Sequence, residues 1–182
     1  MDKLTIQSIN EDAIAEKAVG IFKQGYNCSQ SVALAFADLY GIPEPLMARL
    51  SGSFGGGIGR MRETCGAACG MFMLAGLEVQ DVDDSLSDTS FDVNPYPSQE
   101  LKKKNYEVVQ RLASDFKAVT GSINCKELLG LNKKRADGTI PEITIVATPE
   151  ERTDDYYKKR PCVRMVETAV RIYCRYLKSK LD

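Results

Sequence analysis

Six cysteines and no histidine define the chemistry open to this 182-residue chain. Four cysteines are spread one to a segment: Cys28, Cys65, Cys125 and Cys162. Cys65 stands in the run Thr64-Cys65-Gly66-Ala67-Ala68-Cys69-Gly70, directly after a glycine-rich stretch. Without histidine the chain cannot form a Ser-His-Asp or Cys-His pair, a Cys2His2 zinc site, or a haem site with a proximal histidine of its own. Sulfur is left as the reactive element. Thiolates attack disulfides and bind metals. Four of them suit an iron–sulfur cluster or a tetrahedral zinc ion, and the same four could form two redox-active disulfide pairs. Each cysteine also has a plain reading, as a small buried hydrophobe.

Spacing leaves these choices open. No Cys-x-x-Cys occurs, so neither a thioredoxin-like motif nor a zinc knuckle is present. Cys65 and Cys69 are four apart and share a helical face, where they could share a metal but would make a poor disulfide. Cys174 lies about 120° round a helix from Cys162 and reads as separately packed. Five glycines fall in the eight residues from Gly52 to Gly59. That density forbids a helix interior and marks a loop that turns sharply or approaches something closely. Gly55, Gly56, Gly57 and Gly59 could bring backbone amides to the sulfurs, and with Arg60 and Arg62 they could bind an anion. A structural turn is the competing reading. The glycine pattern fits neither a dinucleotide fingerprint nor a phosphate loop.

Helical signals position these residues. Ser8, with Glu11 three residues on, predicts a capped helix over 9–23. Asn27 predicts a second helix starting at Cys28 and stopped by Gly41, and Pro43 and Pro45 open a short third. The span 63–77 is apolar on nearly every side, which predicts a helix in the middle of the fold with Cys65 in its first turn. The slim surface of Gly66, Ala67 and Gly70 suits close helix packing, room for a cofactor, or a dimer contact. Residues 81–98 are acidic and turn-rich; they predict a loop, and residue types at its sixth and twelfth positions exclude a calcium loop. Ser98 predicts a long helix over 99–119, with Val119 facing inward. Asn124 predicts a short helical turn at Cys125, Thr148 and Pro149 another, and Pro161 a last helix from Cys162 to about 180. Ile143 to Val146 could form a short strand. The sum is a single all-α domain of about five to seven helices, with long loops at 81–98 and 131–148.

Net charge is -1, so no basic field points to nucleic acid or an anionic membrane. The N-terminal stretch lacks the apolar core of a secretory signal, and no apolar run is long enough to span a bilayer. These features predict a cytoplasmic protein, where lasting structural disulfides are disfavoured.

The words around the cysteines carry a resemblance. Cys65-Gly66-Ala67-Ala68-Cys69-Gly70, with Asn27-Cys28-Ser29-Gln30, Phe54-Gly55-Gly56-Gly57-Ile58-Gly59, Asn124-Cys125-Lys126-Glu127-Leu128-Leu129-Gly130 and Pro161-Cys162, resembles the C_GCAxxG_C_C family from about Ala13 to Tyr176. The resemblance implies that Cys28, Cys65, Cys125 and Cys162 are that family's four cysteines. It implies a redox role and genes often near transporters, so a membrane transporter is one expected partner beside a redox partner. A related domain accompanies an iron–sulfur centre in split-Soret cytochromes, which favours a cluster by analogy. Three expectations follow: an electron-transfer protein with an iron–sulfur cluster on the four cysteines, a metal-free thiol–disulfide oxidoreductase, or a structural zinc or small-ligand module.

Overall fold

Most of the sequence's helix starts translate directly into structure. The computed structural model describes residues 3–79 and 99–181. Among these residues there are nine α-helices and no strand: α1 (Lys3–Gln7), α2 (Glu11–Lys23), α3 (Cys28–Ala35), α4 (Glu44–Ser51), α5 (Gly66–Glu78), α6 (Gln99–Thr120), α7 (Cys125–Leu128), α8 (Asp154–Lys159) and α9 (Cys162–Lys178). The fold is all-α. The count exceeds the expected five to seven because α1, α7 and α8 are only one or two turns long. The expected loop over 81–98, its calcium-loop test and the Ser98 cap lie outside the described residues.

Local corrections have local causes. Asn10, not Ser8, caps α2, accepting a hydrogen bond from Ala13 N at 3.1 Å. Ser8 instead closes α1, where its hydroxyl donates to Thr5 O. The second helix ends at Ala35 rather than at Gly41, and a 3-10 turn (Asp38–Tyr40) fills the gap. Val119 is exposed. No strand forms at 143–146, where Ile145 and Val146 are exposed and find no partner strand. Thr148 and Pro149 start no helix; Thr153 caps α8 instead, accepting from Tyr156 N at 3.2 Å.

α5 sits at the centre, packed on α3, α6 and α9, and α2 lies across α3 and α9. The α5–α3 contact explains the small residues. A methyl group on Gly70 would stand 2.7 Å from Ser29 O and 2.9 Å from Val32 Cβ, so α3 already fills the slim face. That face is an internal contact, which removes it as a docking face for a second copy. Phe22, Phe36 and Phe116 are fully buried around this centre, each worth about 2 kcal/mol of apolar transfer. Arg171 ties α9 to the start of α2 through Asp12 at 2.7 Å and Glu11 at 3.3 Å. The result is a rigid frame that holds the start of α3 beside the start of α9.

Candidate functional site

Each of the four spread cysteines sits where a helix begins. Cys28, Cys125 and Cys162 are the first residues of α3, α7 and α9. Cys65 is the residue capping α5, one place before the helix rather than in its first turn. Asn27 makes a full capping box for α3: its side chain accepts from Ser29 N and Gln30 N at 3.0 Å each, while the Gln30 side chain accepts from Asn27 N. Its amide also donates to Gly52 O at 2.8 Å, which ties the glycine loop to the start of α3. Asn27→Ala is expected to cost about 1–2 kcal/mol, lowering Tm by roughly 3–6 °C in thermal unfolding followed by circular dichroism.

Backbone pairing sets Cys65 beside Cys125. Cys65 N donates to Ile123 O at 2.7 Å, Cys125 N to Glu63 O at 2.6 Å and Lys126 N to Arg62 O at 3.0 Å. The glycine loop reaches this pairing through consecutive left-handed residues: Gly56, Gly57, Ile58, Gly59 and Arg60 have φ of 65, 77, 55, 56 and 65°. Arg62 follows at 64°. Glycine tolerates this region, but each non-glycine residue there costs on the order of 1–2 kcal/mol. Strain held this way concentrates at functional sites. At Gly57 the reason for glycine is also space, since a methyl group there would lie 2.6 Å from Cys125 Cβ.

All four cysteines line one pocket of about 290 Å³. Gly55, Gly56, Gly57, Gly59 and Arg60 share its wall. So do Arg62, Arg152, Tyr156, Arg160 and Met165. Of these, Arg152, Arg160, Tyr156 and Met165 are not apparent as site residues in the sequence; the only signal was the three basic residues Lys158-Lys159-Arg160 directly before Pro161-Cys162. Cys69 and Cys174 are buried and line no part of the pocket. Cys69 faces Thr64 O at 3.8 Å, and burial pushes its thiol up to about 11. Cys174 is buried in the core on α9, pushed up to about 12 by the same cause.

The thiols of the pocket differ in acidity. Cys162 is the most exposed of them, and Cys28 lines the same pocket. The influence of the Cys28 thiol, with Arg160, Arg152 and Arg62 nearby, overcomes burial and brings Cys162 down to about 7. Cys28 moves the other way: the Cys162 sulfur, burial and the other pocket sulfurs push it well above the ordinary thiol range. The pair therefore loses one proton readily and keeps its charge on Cys162. Burial pushes Cys65 up to about 12, with the amides of Ala68 and Ala67 opposing. Burial also raises Cys125, against the pull of Arg62.

The C_GCAxxG_C_C family, described as "Putative redox-active protein", matches residues 26–176. The chain belongs to this family. The match starts thirteen residues later than the resemblance in the sequence and ends at the same residue, Tyr176. No curated protein and no solved structure shows detectable similarity to the chain. The four-cysteine pocket lies wholly inside the matched span. No helix among the described residues is long and apolar enough to cross a membrane.

Proposed function

We propose that the pocket is a thiol–disulfide redox centre whose working pair is Cys162 and Cys28. The observation that carries this reading is that Cys28 and Cys162 line one pocket with opposite acidities, Cys162 half-buried and lowered among arginines, Cys28 buried and raised. Cys162 as thiolate attacks one sulfur of a substrate disulfide, forming a mixed disulfide and releasing the other substrate sulfur as a thiolate. Cys28 then attacks the Cys162 sulfur, forming the Cys28–Cys162 disulfide and releasing the second substrate sulfur. The Cys28 proton goes to a departing thiolate. Two electrons leave the protein and reduce the substrate. The ring of arginines lowers the cost of the attacking charge in a partly buried site.

A second reading is favoured by a separate observation, that Cys65 and Cys125 line the same pocket as the working pair. Four soft sulfur donors and no histidine fit the ligand chemistry of an iron–sulfur cluster. Cys28, Cys65, Cys125 and Cys162 would hold it, and bound there it would supply one-electron transfer. The glycine-loop amides of Gly55 to Gly59 would then tune the sulfurs by hydrogen bonding, and Arg60 and Arg62 would balance their charge. A single zinc ion fits less well. Its four sulfurs would lie about 3.8 Å apart around one centre, and among the described residues no group of three or more Cys, Asp or Glu side chains closes on one point.

Anaerobic purification followed by metal analysis and thiol counting separates these readings. The dithiol reading expects an iron-free protein that loses two reactive thiols on mild oxidation and regains them with a dithiol reductant. Stoichiometric iron with visible absorption overturns it in favour of the cluster. One equivalent of zinc whose removal melts the fold overturns both.

A further inference from the structure

The pocket rim carries more positive charge than its sulfurs require. Arg60, Arg62, Arg152 and Arg160 line it, and among the described residues no carboxylate does. Among these residues one carboxylate reaches the rim, that of Glu150 in the irregular segment 131–153. It touches three of the four guanidiniums at once: Arg60 at 3.9 Å, Arg62 at 4.0 Å and Arg160 in a short direct contact. Among the described residues, cations outnumber anions two to one at this rim even with the Cys162 thiolate included.

Arg152 supplies an independent observation. Its guanidinium stacks on Phe22 and Tyr156, each at 4.6 Å, so its position is set by aromatic contacts and not by an ion partner. Its Nη2 donates to Tyr26 O at 3.4 Å. Its Nη1 is buried and has no hydrogen-bond partner among the described residues. A buried, charged donor without a partner is costly. Arg60 is likewise pre-positioned, its Nε donating to Val146 O at 2.8 Å.

We propose that this arginine rim binds a small anion bearing a carboxylate or tetrahedral oxyanion, with the Glu150 side chain as its resident stand-in. Planar guanidiniums converging on one carboxylate form the geometry that recognises such groups bidentately. Glu150 is about half exposed, so it can swing aside without opening the core. The inference adds a ligand class to the redox reading and rests on it only in placing that ligand beside reactive sulfur.

The test uses the full chain as purified anaerobically, at low ionic strength, titrated by calorimetry with sodium sulfate and separately with sodium succinate. Sodium chloride at matched ionic strength serves as the blank. Saturable binding at one site is expected for at least one probe, and the better probe identifies the oxyanion class. Glu150→Gln removes the internal competitor and should tighten that binding at least five-fold. Arg62→Gln should weaken it at least ten-fold, with Arg160→Gln as the alternative if the first variant fails to fold. Absence of saturable heat from both probes in both wild type and Glu150→Gln overturns the proposal, as does a Glu150→Gln affinity no tighter than wild type. Cys162→Ser removes one negative charge from the pocket and should bind the anion no more weakly than wild type. Anion binding in a protein without thiol exchange sinks the redox reading alone, and thiol exchange without anion binding sinks the rim alone.

Discussion

Cys162→Ser is expected to remove the fast-reacting thiol of this protein. At pH 7 a thiol at a reference value of 9.0 is about 1% ionised, whereas one at about 7 is about half ionised. The lower basicity reduces nucleophilicity roughly eight-fold, so Cys162 should outpace an ordinary exposed thiol by about six-fold. The other pocket thiols, buried and raised, should lag far behind. In stopped-flow reaction with an aromatic disulfide probe, wild type should therefore show one fast phase that Cys162→Ser lacks. The sign with pH is fixed by which form reacts. Thiolate grows as pH rises, so the fast rate should climb through a midpoint near 7 and flatten above about 8. Cys28→Ala removes the neighbouring thiol that most lowers Cys162, and the midpoint should move up toward the ordinary thiol range. Cys28→Ala should also accumulate the mixed disulfide, because the partner sulfur that releases it is gone. A wild-type midpoint near 9, or a fast phase surviving in Cys162→Ser, would sink the assignment of Cys162 as attacking sulfur.

Gly57→Ala is expected to give the largest loss of stability from a single methyl group. The new carbon would sit 2.6 Å from Cys125 Cβ, 2.9 Å from Glu63 N and 3.0 Å from Arg62 C. Two of those atoms belong to the backbone that pairs with the start of α7, so relief requires the pairing to shift. Left-handed strain at φ 77° adds about 1–2 kcal/mol, and overpacking adds about 1–3. A total of about 3 kcal/mol corresponds to a Tm lowered by roughly 10 °C. Gly59→Ala separates the two causes. Gly59 is also left-handed, but its nearest neighbour would be 3.9 Å away, so only the strain remains. Thermal melts should place Gly59→Ala at about half of the Gly57→Ala effect. Equal shifts would mean that strain alone accounts for glycine at Gly57 and that the loop does not press on Cys125.

Much of the fold was legible because its signals are short-range. Asn27 and Asn124 each cap a helix whose first residue is a cysteine, and the capping bonds run only two or three residues along the chain. The apolar run after Cys65 reads as buried because nearly every side of that helix is apolar. Ser8 misled because two asparagine, serine or threonine candidates stood within three residues, and local pattern does not say which one ends the helix before. Ile58, Arg60 and Arg62 in left-handed conformation were not legible at all, since nothing in their side chains favours it and tertiary pairing imposes it.

For the site, the sequence by itself determined the inventory: sulfur without histidine, cysteines at helix starts, and a loop that only glycine-rich backbone can make. Those properties depend on residue type and on neighbours within one turn. Only the tertiary structure decided which groups meet. It joined Cys28 to Cys162 across 134 residues of chain, set Cys69 and Cys174 aside in the packed interior, and brought Arg152 and Arg160 to the pocket with Glu150 at its rim. Acidity followed the same division. A thiol's charge is stabilised by what lies within a few ångströms in space, and chain spacing does not report that distance.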